Sequence, residues 1–383
     1  MKKICIITTR KESLAAFVTN AADYLHVHGD YDISFICSPD EEFERELPDH
    51  VHFHGVKMNR GMNAELFRCI LQMYKILKKE KFDLVQYSTP NASLYAAVAA
   101  FLARVPVRLY CQWGIVFMGM KGFRRKVFKL IERVICALST IVEPDSFGNL
   151  ALCREMGLYG EKKSRVVGEG SACGVDFSRF DIDKKDCYRK EIREELGIPE
   201  DSVTLGFCGR LTNDKGINVF LRCAFELLKE TQTLHFIIIG DEEAGSGADA
   251  DMISAAREDS RFHFTGFSRR VERFMSAMDI YLLPSAREGF GMTVIEAGAM
   301  EVPAVAYRIP GPMESISDGV TGVLAEKGNE AELFDAVKAL IYDEKRRAEL
   351  GKAARARVHE KYNKDKLFYA ILKDRERLLG ERE

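Results

Sequence analysis

Short apolar runs alternate with longer amphipathic stretches along this chain, and the alternation restarts once near its middle. In the first half, residues 4–8, 33–37, 84–87, 107–111 and 141–142 form apolar runs of strand length. Helical periodicity covers about residues 13–28, 63–79, 91–103, 122–137 and 146–156. Strand–helix alternation of this kind implies parallel strands joined by right-handed crossovers. The charged passage 181–186 interrupts the pattern and predicts a linker. A second set of apolar runs follows at 203–208, 234–239, 262–265, 280–283 and 304–306, and beyond Gly328 the chain turns wholly helical, at 330–341, 344–360 and about 364–379.

The 383 residues are long for one domain and comfortable for two. The predicted division is 1–180, 181–360 and a terminal segment 361–383. A hydrophobic fraction of 46%, a charged fraction of 30% and a net charge of −2 describe an ordinary globular protein. Nothing in that balance draws the chain to nucleic acid. The ten cysteines are scattered without a C-x-x-C pair, which argues for reduced thiols rather than a disulfide frame or zinc site. The run after Met1 is too short for a secretory signal, and the longest apolar run, 94–103, is about half a bilayer crossing. A cytoplasmic location is expected.

Candidate chemistry concentrates after the apolar run 280–283, in Pro284-Ser285-Ala286-Arg287-Glu288-Gly289-Phe290-Gly291-Met292-Thr293-Val294-Ile295-Glu296-Ala297. A strand that ends in a glycine-rich turn and opens a helix offers backbone N–H groups at a positive dipole end, a place for phosphate. Glu288 in the turn and Glu296 about two helical turns further on suit hydrogen bonds from hydroxyls. Together they point to a nucleotide carrying a sugar.

The pattern E-G-F-G-x-x-x-x-E followed by A-x-A-x-x-x-P resembles the donor-site signature of glycosyltransferase family 4, and the resemblance spans nearly the whole chain. Gly206-Phe207-Cys208-Gly209-Arg210-Leu211 with Asp214-Lys215-Gly216 is similar to the family's G-R-L-x-x-x-K-G element. Asp83-Leu84-Val85 through Ser88-Thr89-Pro90 resembles its acceptor-side strand and turn, and Gly168 to Phe180 its G-x-G-S-x-x-G-V-D-x-x-x-F segment. The nearest subgroup is the bacterial capsule and O-antigen transferases. The resemblance implies an α/β GT-B architecture: two Rossmann-like, doubly wound parallel-sheet domains facing a cleft, acceptor domain first and donor domain second. C-terminal helices would cross back to the first domain.

By that resemblance Arg210 and Lys215 clamp the diphosphate, and Glu288 contacts the donor sugar. The competing reading is an ion pair of Lys215 with Asp214 or Glu288. Gly209, Gly289, Phe290, Gly291, Met292 and Thr293 would line the sugar and phosphate. Glu296 would accept from the ribose hydroxyls unless it is a plain solvated helix carboxylate. The base would lie near Gly266-Phe267 and Gly240-Asp241. Two departures stand out: the turn 8–13 lacks the family's double glycine, and Trp113 occupies the position of a family histidine. Trp113 and Thr89 are assigned to the acceptor side, Trp113 either as a sugar platform or as a packed aromatic. Acceptor recognition falls to loops around 8–13, 57–63 and 112–123.

Lys121, Arg124, Arg125, Lys126, Lys129 and Arg133 interleave with apolar residues on one helix, which suits either an anionic membrane face or a normal solvated face. His50, His52 and His54 alternate as on a polar edge strand, with a metal site the rarer alternative. The expectation is a retaining, metal-independent transferase needing no cofactor. It would move a hexose or N-acetylhexosamine from a nucleotide diphosphate sugar, UDP first, to a polyprenyl-diphosphate-linked glycan. A sugar-nucleotide epimerase and a non-catalytic scaffold subunit are the rival readings.

Overall fold

The computed structural model describes residues 1–58, 65–243 and 245–380. The predicted helix start at 63–64, most of the predicted loop 57–63 and the last three residues of the terminal segment lie outside them. The chain divides into two compact units, Met1–Cys173 with Asp365–Glu383, and Gly174–Lys364.

In the first unit β1 (Lys2–Ile7), β2 (Tyr31–Cys37), β3 (Val51–Gly55), β4 (Leu84–Tyr87), β5 (Val107–Gln112) and β6 (Ile141–Pro144) form one sheet in the order β3-β2-β1-β4-β5-β6. All five neighbouring pairs are parallel. Both faces are covered: Ile4, Ile33, Leu84 and Leu109 pack into one core, and Cys5, Ile36, Val85 and Tyr110 into the other. That explains strands that read as continuous apolar runs. Edge strand β3 has no such run. His52 pairs with Asp32 and His50 with Asp23, the latter stacked on His26. The predicted helix at 13–28 is two helices, Lys11–Phe17 and Thr19–Gly29, broken at Val18.

The helix Lys364–Leu379 belongs to this unit. Leu372 enters the β1–β2 core, and Arg375 is 1% exposed with its guanidinium on Glu143 at 2.6 Å, Asp374 at 2.8 Å and Gln86 at 3.1 Å. Arg165 reaches Asp374 from the other side at 2.6 Å.

The second unit repeats the plan with β7 (Val203–Cys208), β8 (Leu234–Ile239), β9 (Phe262–Gly266), β10 (Ile280–Leu283), β11 (Ala304–Tyr307) and β12 (Gly322–Ala325) in the order β12-β11-β10-β7-β8-β9, again parallel. β12 was not expected; it opens on Gly322 close behind Gly319, so the passage reads as a turn. The units part at Cys173/Gly174 rather than at residue 180, because Val175 donates to Tyr362 O and accepts from Lys364 N, while Asp176 pairs with Lys364 at 2.7 Å. The predicted linker is no linker: Asp181 caps a 3-10 turn, Ile182–Lys184, that runs into the helix Lys185–Leu196. Its charges serve a helix start. All ten cysteines are free.

Candidate functional site

In each sheet the strand order reverses once, between β1 and β4 and between β7 and β10. Open α/β sheets bind ligands outside the carboxyl ends of the strands flanking such a reversal, because the crossover helices leave in opposite directions there. In the second unit the loops leaving β7 and β10 carry Arg210, Lys215 and Glu288, though β7 and β10 are far apart in sequence.

Four contacts tie those loops together. Gly216 sits at φ 86° with its α-carbon against the Pro284 carbonyl, where a β-carbon would collide. Ser285 Oγ donates to Lys215 O at 3.2 Å, and Ala286 N donates to Asp214 O at 2.9 Å. Arg287 Nη2 lies 2.7 Å from Asp214 Oδ2. Lys215 Nζ then reaches Glu288 Oε1 at 2.8 Å and Oε2 at 2.9 Å. Of the two ion-pair partners considered for Lys215, Glu288 has it; Asp214 is taken by Arg287.

Arg210, half exposed, pairs with Glu243 from the loop after β8. Gly291, at φ 86°, caps the helix Met292–Ala299, so the amides of Met292 and Thr293 open its first turn. Phe290 is in the core, edge-on to Tyr362, so only its backbone is left to meet a ligand. Thr293 takes a hydrogen bond from Tyr281 Oη at 2.7 Å. Gly209 donates to Ile239 O.

Glu296 is not a solvated carboxylate. Its residue keeps some exposure, yet protein crowds the carboxyl, and desolvation pushes its pKa up to about 7, with Arg179 pulling it down and Glu272 pushing it up. Arg179 is itself held by buried Glu272 at 2.8 Å. Cys208, at the end of β7, lies within electrostatic reach of Glu296, Lys215 and Arg179, and Tyr281 within reach of Glu288 and Glu296. Both glutamates therefore border the same strand ends as Lys215. The expected base turns touch one another: Gly240 N donates to Gly266 O, and Phe267 N to Asp241 Oδ1 at 3.0 Å, and Phe267 is 66% exposed.

In the first unit the equivalent reversal brings Thr9 and Thr89 together, hydroxyl to hydroxyl at 2.8 Å. Thr89 holds φ 69°, a strained conformation for a branched residue, at the mouth of the helix Pro90–Ala103. Trp113, after β5, packs on Phe17 with ring centroids 5.4 Å apart. The sequence reading gave no role to Arg287, Glu243, Arg179 and Glu272, and considered Asp214 only as a partner of Lys215. Only the adjacency of Asp214 to Lys215 and of Arg287 to Glu288 offered a signal.

Residues 188–357 match the family model "Glycosyl transferases group 1", and residues 3–142 match "Glycosyl transferase 4-like". The chain is a glycosyltransferase of the GT-B type. The capsular polysaccharide biosynthesis glycosyltransferase CapM of Staphylococcus aureus is 26% identical over 81% of this chain and 80% of its own length. An Escherichia coli UDP-Gal:alpha-D-GlcNAc-diphosphoundecaprenol alpha-1,3-galactosyltransferase is 24% identical over 77% and 76%. The structure of Anabaena Alr3699/HepE with UDP and glucose superposes with a TM-score of 0.77 at 19% identity, over 98% of this chain and 99% of that one. This GT-B glycosyltransferase thus resembles the enzymes of capsule and O-antigen biosynthesis, and both its sheets carry the doubly wound topology of that fold.

Proposed function

We propose that this glycosyltransferase retains anomeric configuration and moves a hexose or N-acetylhexosamine from a UDP-sugar to a glycan on a polyprenyl diphosphate. The observation that carries the reading is the pairing of Lys215 with Glu288 at the β7–β10 reversal, with Glu296 in electrostatic reach of Cys208 at the same strand end and Arg210 in reach of Asp214. Breaking the bond to the diphosphate leaves negative charge on the departing β-phosphate while the sugar turns oxocarbenium-like. Arg210 and Lys215 supply cations where that charge develops, and the first-turn amides of the helix Met292–Ala299 add to them. Glu288, released from Lys215 when phosphate takes the ammonium, accepts from donor hydroxyls. Glu296 accepts from the ribose.

The acceptor hydroxyl attacks from the face the leaving phosphate departs, and a phosphate oxygen takes its proton, so no protein nucleophile is called for. No metal enters the scheme; full turnover in EDTA is the expected result. The E. coli relative acts on a diphosphoundecaprenol-linked sugar, which supports a lipid-linked acceptor here. So does the helix Gly122–Leu138, where exposed Phe123, Leu130 and Val134 lie among cations that form no ion pair among the described residues. Such a face suits the anionic inner leaflet. No helix of the described residues is long and apolar enough to cross a membrane.

A thermal-shift panel of UDP-, GDP-, dTDP- and ADP-sugars tests the donor, since ligand binding to the native state raises its stability by mass action. UDP-sugars should stand out; no shift with any donor sinks the reading. Proton NMR of the product then reads the anomeric configuration, and an inverted product refutes retention. Pelleting with phosphatidylglycerol vesicles, against phosphatidylcholine alone, tests the membrane face.

A further inference from the structure

Asp214 and Lys215 are consecutive on one loop, and Arg287 and Glu288 are consecutive on the other. The structure pairs them in register, Arg287 with Asp214 at 2.7 Å and Lys215 with Glu288 at 2.8 and 2.9 Å. Swapping partners would put Lys215 on its own neighbour. Asp214 is within electrostatic reach of Lys215, and its carboxyl stays ionised. Burial alone would raise its pKa, but the Thr212 hydroxyl and then Arg287, Arg210 and Lys215 outweigh that and hold it below the usual range. An ionised carboxylate beside a four-carbon ammonium stem is a natural competitor for it.

The Arg287–Asp214 pair is too exposed, at 30% for each side chain, to add much stability. Its consequence is local. While Arg287 occupies Asp214, Lys215 is left to Glu288 and, in exchange, to an incoming phosphate. We propose that Arg287 is a positioning residue: it sequesters Asp214, so that Lys215 stays on the donor side of the loop instead of collapsing onto its neighbour. The inference rests on the reading of Lys215 and Glu288 as donor-site groups, and deepens it by naming what keeps that pair available.

Four variants test it: Arg287→Gln, Arg287→Lys, Asp214→Asn, and the double variant Asp214→Asn/Arg287→Gln. Directly coupled side chains show non-additive effects, and the expectation is about a tenfold loss of kcat/KM for UDP-sugar in Arg287→Gln. Arg287→Lys should retain most activity. The double variant should recover to within about threefold of the parent, because the competitor is gone. A merely structural pair predicts the opposite, a double variant no better than Arg287→Gln. The second arm needs no ligand: in a crystal structure of free Arg287→Gln, Lys215 Nζ should sit on Asp214 and leave Glu288. An unchanged Lys215–Glu288 pair there, or a double variant without recovery, overturns the inference. If the parent protein binds no nucleotide sugar, the proposed function fails, and the crystal structure still decides the role of Arg287.

Discussion

Lys215 Nζ lies within 2.9 Å of both carboxylate oxygens of Glu288, across two loops that only the β7–β10 pairing brings together. The Glu288 side chain is 9% exposed and the Lys215 side chain 28%. The cation proposed for phosphate and the carboxylate proposed for sugar are thus each other's partner before ligand arrives. This ordering has a use. A lysine ammonium is strongly hydrated and mobile, and a partner that donor can displace keeps it in place.

Removing either member should therefore act on turnover and on stability together. Lys215→Ala and Glu288→Gln should each lower kcat/KM by on the order of 3 kcal/mol, roughly a hundredfold or more. Because the two act as a unit, the double variant should be little worse than the poorer single one. Lys215→Ala should also lower Tm, since it removes the cation paired with a nearly buried carboxylate, whereas Glu288→Gln should melt nearer the parent. Steady-state kinetics with thermal melts separates these effects. Near-parental turnover in Glu288→Gln would remove Glu288 from the site.

Glu296 gives a pH signature. Its folded pKa is raised from 4.5 to about 7, so the native state holds a proton that the unfolded chain has lost between those values. The raised pKa is a stability contribution present at low pH and lost as pH rises from about 4.5 through 7. Glu296→Gln should therefore change stability little at about pH 4 and raise it at about pH 8, by roughly 2 kcal/mol. Ribose hydroxyls donate to the ionised carboxylate, so donor binding at pH 7 should release a proton. Calorimetry in two buffers of different ionisation enthalpy detects it, and the release should vanish in Glu296→Gln. Equal apparent enthalpies for the parent would place the ribose elsewhere.

A second titration lies at the opposite end of the same sheet. His235 Nδ1 and His263 Nε2 are 3.1 Å apart on β8 and β9, a contact that requires one of the two nitrogens to stay unprotonated. Burial depresses both pKa values, that of His263 to about 4; Arg193 and Arg261 lower His235 further, and Asp259 opposes them. Here the folded pKa lies below the unfolded 6.5, so the unfolded chain gains the proton first. Stability should be full above pH 6.5 and fall as pH drops towards 4, by of order 1 kcal/mol after solvent screening. Urea denaturation at pH 5 and pH 7.5 measures it. His263→Gln should flatten the difference, and a parent equally stable at both values would dismiss the pair as a titrating element.

The central strands of both sheets were legible because they are buried on both faces and leave nearly uninterrupted apolar runs. Edge strands β6 and β9 kept a shorter apolar run, and β3 showed itself only as a polar alternation of histidines, whereas β12 opens on Gly322 after a turn-like passage and gave no signal. In the site, Arg210, Lys215 and Glu288 stand out as charges flanked by glycine at strand ends. Asp214 and Arg287 look like ordinary turn charges, and 73 residues separate them. Their pairing follows from the strand order alone, which no local pattern encodes. Glu296 reads as an amphipathic helix residue, and its crowding comes from β7, β10 and the Arg179 segment. The division at Gly174 likewise depends on hydrogen bonds to residues 362–364, which periodicity cannot show.

The last helix carries the most exacting electrostatic demand in the first unit. Burial lowers the Arg375 pKa, but Glu143 and Asp374 outweigh it and raise the pKa, so the guanidinium stays charged with almost no exposure. Arg165 and Arg377 share Asp374, making a network in which each charge depends on the others. Arg375→Met fills similar volume but leaves the Glu143 carboxylate, 13% exposed, without its cation. Breaking one side of a buried pair costs about 3–5 kcal/mol, far more than an exposed pair on the same helix. Lys373→Met is the control, because its pair with Glu376 is exposed. Arg375→Met should therefore lower the urea midpoint markedly and speed hydrogen exchange along 364–379, while Lys373→Met leaves both unchanged. Restoring compensation with Glu143→Gln in the Arg375→Met background should recover part of the loss. If Arg375→Met were as stable as the parent, apolar contacts such as that of Leu372, and not the charge network, would hold the terminal helix on β1 and β2.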